Sequence, residues 1–138
     1  MSKDFFAQQL LEEFDDKPTL AGLQQALLAS RAVGFDYVDD NEALEHFNSE
    51  VAEIAEAFQE NDKDHLASEL GDANFLLIEI ARRRGIDFDQ TMRNHGKKFL
   101  RRLAFIEAEL KKRGQTWDDV SWPNEMKDLW DQAKKTGL

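Results

Sequence analysis

The sequence predicts an all-α protein, a four-helix-bundle-like domain with a short extra helix at its N-terminus. Three observations carry this expectation. Apolar residues recur at three- and four-residue steps almost throughout the chain. Only 7 Gly and 2 Pro interrupt its 138 residues. Pro18, Gly34, Gly85, Gly114 and Pro123 fall between the periodic segments, where helices start or stop.

The first segment, Asp4 to about Phe14, carries Phe5, Phe6, Leu10, Leu11 and Phe14 and ends before the breaker Asp15-Asp16-Lys17-Pro18. Thr19 is placed to cap the next helix, which turns Leu20, Leu23 and Leu27 inward and stops at Gly34. Phe35 to Asp40 reads as a loop. From Asn41, a capping residue, to about Gln59, the residues Leu44, Phe47, Val51, Ile54 and Phe58 form an apolar stripe that should face the core. A turn over Glu60-Asn61-Asp62-Lys63 leads to a helix over about Asp64 to Arg84. Its run Phe75-Leu76-Leu77-Ile78-Glu79-Ile80-Ala81 suits the central, most buried member of a bundle. Asp87 and Gln90 form a loose capping box for a long helix with Met92, Phe99, Leu103, Ile106 and Leu110 inward and Gly114 at its close. After a loop through Thr116 and Trp117, Ser121-Trp122-Pro123 starts a last helix that turns Met126, Leu129 and Ala133 to the core. No internal repeat stands out, and the length fits a single domain over residues 1–138.

Composition narrows the function. With 41% hydrophobic and 33% charged residues, the chain is of the soluble globular type. Having no Cys, it has no disulfide, thiolate metal site or cysteine nucleophile. A net charge of −10 disfavours polymeric nucleic acid and anionic membrane as partners. No stretch approaches the roughly 18 apolar residues of a membrane span, and the N-terminus lacks a basic region followed by an apolar run. A cytoplasmic protein is expected.

The charges are segregated. Residues 36–72 hold thirteen acidic side chains against Lys63 alone, whereas residues 82–113 hold eleven basic against four acidic. Within the acidic stretch, Glu50 and Glu53, and then Glu69 and Asp72, have i,i+3 spacing, so each pair projects from one helix face at the edge of the apolar stripe. Four carboxylates in a half-buried groove require positive charge between them, from a divalent cation or from Lys and Arg side chains. All-oxygen ligands suit Mg²⁺, with Mn²⁺ as a substitute; zinc normally takes His or Cys, and a di-iron bundle site needs Glu-x-x-His, which the chain lacks. Gly71, between Glu69 and Asp72, suggests the close approach of another backbone. Lys98 and Arg102 share a helix face, and such cations facing a magnesium cluster are what a polyphosphate needs. His46, His65 and His95 are too scattered to suggest a mechanism.

Five blocks in order carry a family resemblance: Val33-Gly34-Phe35-Asp36-Tyr37, Glu50-Val51-Ala52-Glu53, Glu69-Leu70-Gly71-Asp72, Lys98-Phe99-Leu100-Arg101-Arg102, and Glu125 through Lys134. Over residues 20–135 the chain resembles the MazG-type nucleotide pyrophosphohydrolases of the all-α NTP pyrophosphatase superfamily. The resemblance implies a Mg²⁺-dependent enzyme that cleaves a nucleoside triphosphate between its α and β phosphates, giving a monophosphate and pyrophosphate. Carried over by position, Glu50, Glu53, Glu69 and Asp72 are metal ligands. Lys98 and Arg102 hold phosphates, and Trp130 and Lys134 contact nucleotide. Attack by a metal-activated water is the expected chemistry, with Glu53 as proton acceptor and Glu50 beside it. Two positions depart from the family pattern: Ser49 stands where a first glutamate is usual, and Gly96 where Asn is. The rival readings are a dUTP- or phosphoribosyl-ATP-directed pyrophosphohydrolase and a non-catalytic acidic helical-bundle adaptor. Three Trp and 10 Phe on so few helices leave apolar surface for a homodimer or homotetramer.

Overall fold

The computed structural model describes residues 5–138 and contains six α-helices, with no strand among the described residues. The all-α expectation holds, and the helix count includes the short N-terminal one. The expected start at Asp4 lies outside the described residues. The chain divides into two compact units, one ending at Phe88 and the other running from Asp89 to Leu138.

The first unit holds α1 (Ala7–Glu13), a 3-10 turn at Phe14–Asp16, α2 (Thr19–Ala32), α3 (Asp40–Glu60) and α4 (Lys63–Arg83). Phe14 folds back on α2, where its ring lies 3.0 Å from the position a Cβ would take on the buried Gly22. Thr19 is the first residue of α2 and does not cap it: Pro18 precedes it, and no side chain closes that end. Nor does Asn41 cap α3. Asp39, in extended conformation, accepts the Glu42 N–H at 2.8 Å, which places Asn41 inside the first turn.

A two-residue connection joins α3 to α4. Asn61 closes α3 in the left-handed conformation, and Asp62 opens α4 by accepting the His65 N–H at 3.0 Å. So short a turn forces the two 21-residue helices to run antiparallel in contact. Residues from opposite ends of the hairpin accordingly meet: Asp40 pairs with Arg83 at 2.6 Å and with Arg84 at 2.8 Å.

The buried face of α3 differs from the expected stripe. Ala43, Glu50 and Ala57, each seven residues from the next, are the buried residues, whereas Leu44, Val51 and Phe58 remain 46%, 45% and 72% exposed. Small side chains let two helices approach closely, so the seam is offset by one position from the bulky apolar row. On α4 the expectation fares better: six of its residues are buried, among them Glu69, Leu76, Ile78 and Glu79.

The fully buried Glu79 is the centre of an ion cluster. Arg82 donates to it through two nitrogens, each at 2.9 Å, and Arg31 of α2 donates at 3.3 Å. Asp36, in the loop after α2, is held by Arg83 at 2.9 Å and by Arg31 at 3.3 Å. The arginines that end α4 therefore serve this cluster, tying the ends of α2 and α4 to the loop that leads into α3.

The second unit comprises α5 (Phe88–Lys112, beginning at the boundary), a 3-10 turn at Trp117–Asp119 and α6 (Glu125–Lys135). α4 and α5 both end in a left-handed glycine, Gly85 and Gly114, followed by an N–H that reaches five residues back, Ile86 to Ala81 and Gln115 to Leu110, each at 2.9 Å. Thr116 and Asp119 form a capping box around the 3-10 turn, and the Trp117 indole N–H donates to Glu107 of α5 at 3.1 Å. Ile106, Leu110, Val120 and Leu129 make the core of this unit, with Phe105, Met126 and Trp130 packed on it. Met92 and Phe99, expected inward, are 51% and 47% exposed. Ser121 does not cap α6, which begins two residues after Pro123.

Burial alone would push the Glu79 carboxyl up, but the Arg82 hydrogen bond and the charge and hydrogen bond of Arg31 outweigh it and hold the group below its usual 4.5. A depressed carboxyl contributes stability that is complete above the unfolded value and is lost as pH falls through the folded one. Glu79→Ala should cost about 3 kcal/mol at pH 7, because it removes the buried partner of the half-buried Arg31 and Arg82 and leaves them only Asp36 as a carboxylate partner. In denaturant titrations this difference should shrink progressively as the pH falls below 4.5.

Candidate metal centre

Glu50 and Glu69 face each other across the α3–α4 seam. Both are nearly fully buried, at 8% and 7% exposure, and together with the exposed Asp72 they bring one carboxylate oxygen each to within 4.8 Å of one another. Helix geometry places them there: Glu50 occupies the central buried position of α3, and Glu69 and Asp72 lie one turn apart on α4.

Glu53 is exposed and adjoins the group. The carboxyl of Glu69 is the main influence on it, first as a hydrogen-bond partner and then as a like charge. Burial and Asp72 add to the effect and His65 opposes it, so Glu53 is held above the usual carboxylate range. The four acidic residues expected to act together are thus brought together by one hairpin.

Two histidines attend the buried pair. His46 Nε2 lies 3.0 Å from Glu50 Oε1, and its Nδ1 lies 2.6 Å from the Tyr37 hydroxyl. Burial pushes the Tyr37 phenol up, so it stays protonated. His65 Nε2 lies 3.2 Å from Glu69 Oε1, and its Nδ1 lies 3.1 Å from Glu60. The Glu60 hydrogen bond, aided by the charges of Glu60 and Glu69, raises the pKa of His65 against the effect of burial.

The sequence reading missed these contacts, although a signal was present. His46-Phe47-Asn48-Ser49-Glu50-Val51-Ala52-Glu53 and His65-Leu66-Ala67-Ser68-Glu69-Leu70-Gly71-Asp72 share His, Ser, Glu and a final acid at the same spacing. The pattern is a short internal repeat, one copy on each helix.

With Oε1 of each buried glutamate engaged, Oε2 of Glu50 and Oε2 of Glu69 are buried without a hydrogen-bond partner. A buried carboxylate oxygen left unpaired is costly, on the order of a few kcal/mol. A hard divalent cation satisfies such oxygens, and the donor set of carboxylates fits Mg²⁺ or Mn²⁺ chemistry. Gly71 does not mark a close backbone contact: among the described residues nothing lies within 4 Å of where its Cβ would stand. That side of α4 is open beside the carboxylates.

The basic and aromatic candidates lie in the second unit. Arg102 sits over the Trp130 ring, 5.3 Å from its centroid, and its Nε donates to the Leu138 backbone oxygen at 2.7 Å. Trp130 also meets Phe99, with centroids 5.6 Å apart, and is packed on the core of the unit. Lys98, one turn before Arg102 on α5, is half-buried, and Lys134 on α6 is exposed.

Residues 39–104 match the model of the family described as MazG nucleotide pyrophosphohydrolase domain. The chain is 26% identical over 117 residues to the nucleoside triphosphate pyrophosphohydrolase/pyrophosphatase MazG of Thermotoga maritima, covering 85% of this chain and 44% of that protein. It is 35% identical over 72 residues to the uncharacterized protein YabN of Bacillus subtilis, covering 52% of this chain and 14% of that protein. The chain thus spans less than half the length of either relative.

If Glu53 is repelled by Glu69 in the metal-free protein, Glu53→Gln should raise the thermal midpoint measured in chelator-treated buffer. A lower midpoint would show that the carboxylates are not in conflict there.

Proposed function

We propose that the chain, whose residues 39–104 match the MazG family model, is a nucleoside triphosphate pyrophosphohydrolase, cleaving between the α and β phosphates to release a nucleoside monophosphate and pyrophosphate. The observation that carries this reading is the pair of buried, unpartnered carboxylate oxygens of Glu50 and Glu69 within one acidic cluster. A non-catalytic adaptor has no need to bury such a pair. The family match and the Thermotoga maritima relative supply the substrate class.

Glu50, Glu53, Glu69 and Asp72 would hold Mg²⁺, or Mn²⁺ in its place. When bound, such a cation supplies Lewis acidity, making water more acidic and drawing charge from phosphoryl oxygens. The chain's own contribution is positional. Glu50 and Glu69 are immobilised by burial, whereas the exposed Glu53 is the proposed acceptor of a proton from the attacking water. In this reading Lys98 and Arg102 neutralise phosphate, and Trp130 and Lys134 contact the nucleotide.

The family match runs from α3 into α5 and so crosses the boundary between the two units, which supports treating residues 1–138 as one functional domain. The exposed row Leu44, Val51 and Phe58 supports a homodimer or homotetramer. Among the described residues no helix is long and apolar enough to cross a membrane, and a cytoplasmic site of action is part of the proposal.

The test is pyrophosphate release from a panel of ribo- and deoxyribonucleoside triphosphates, dUTP and phosphoribosyl-ATP, with and without Mg²⁺. Metal-dependent release is expected, and Glu53→Gln should reduce it at least 100-fold, in the range of a lost general base. Full turnover in that variant, or release that ignores the metal, would overturn the assignment.

A further inference from the structure

We infer that His46 and His65 are positioning residues for the ion site, each locking one oxygen of a buried glutamate so that the other is directed at the cation. The inference rests on the ion-site reading above and adds a role for two side chains outside the carboxylate set.

The placement repeats, as a hydrogen bond on α3 and an ion pair on α4. On α3, His46 stands one turn before Glu50; on α4, His65 stands one turn before Glu69. Each uses Nε2 toward Oε1, and in each case Oε2 is the buried oxygen with no partner. Each imidazole is in turn oriented through Nδ1, by the Tyr37 hydroxyl on one side and by Glu60 on the other. The Glu50 carboxylate can only accept, so Nε2 of His46 carries the ring proton that meets it.

Tyr37 is itself held: the Arg31 guanidinium lies over its ring, 5.3 Å from the centroid, and donates to the buried Glu79. The His46 arm is therefore anchored to the ion cluster at the far end of the hairpin. Fixing a carboxylate's rotamer before an ion arrives removes an ordering cost from binding, and outer hydrogen-bond partners of this kind typically carry a roughly 10- to 100-fold effect on metal affinity.

Calorimetric titration of the full chain with Mn²⁺ and with Mg²⁺, without nucleotide, tests the inference. His46→Leu and His65→Leu should each weaken ion binding about 10-fold or more. His46→Gln and His65→Gln should recover most of it, since a glutamine amide N–H can replace the Nε2 donor. Tyr37→Phe, which alters neither helix, should give a smaller loss in the same direction and keeps the test valid should a leucine variant fold poorly. If Glu50→Gln abolishes binding but the leucine variants keep wild-type affinity, the positioning role is overturned and the ion site stands. A loss that glutamine does not recover also overturns it. Absence of ion binding by the wild-type chain would overturn both readings.

Discussion

The α3 side of the site depends on a buried charge some distance from it. Glu79 has no contact with water, and it is tolerable only because Arg31 and Arg82 close on it from two helices. In doing so Arg31 fixes the loop between α2 and α3, since it also pairs with Asp36 and lies over Tyr37. The loop then presents Tyr37 to His46, and His46 to Glu50. A cluster with a structural purpose thus determines the orientation of a side chain with a chemical one.

The opposite end of the hairpin uses the reverse strategy. Around Glu79 the negative charge is compensated by arginines; against Glu50 and Glu69 stand only His46 and His65. The two ends share helices and solvent, so the difference lies in the placement of arginine: Arg82, Arg83 and Arg84 all cluster at the end of α4, and none is found among residues 40–81. The fold is stabilised at one end and left in electrostatic deficit at the other, which is the condition for binding a cation tightly.

Much of this was legible in the sequence. The all-α class and the helical segments come from the strong three- to four-residue period, and the i,i+3 carboxylate pairs were visible because both members of each pair fall on one face. Caps were misplaced by one or two residues where several capping residues stand in a row, as in Asp39-Asp40-Asn41. The inward face of α3 was misread because periodicity identifies an apolar row, not which neighbouring row meets a partner helix. The close seam went to Ala43 and Ala57; of the expected stripe Phe47 and Ile54 are half-buried, and Leu44, Val51 and Phe58 stay exposed. Glu79, a lone carboxylate in an apolar run, and the repeated His-x-x-Ser-Glu pattern were readable signals whose meaning required knowing that α3 and α4 lie side by side.

The two-residue turn at Asn61 and Asp62 also determines which changes of length the chain can absorb. All four carboxylates lie between residues 50 and 72, on two helices whose register is set by that turn. Insertions in the loop before Asp39 or beyond Gly85 leave their spacing untouched. A single residue added between Glu53 and Glu69 within either helix would rotate one side of that helix against the other by about 100°, carrying one acidic pair away from its counterpart. Descendants of this sequence can therefore vary in length on either side of the hairpin, but an insertion within it that falls short of whole helical turns separates the charges whose proximity defines the site.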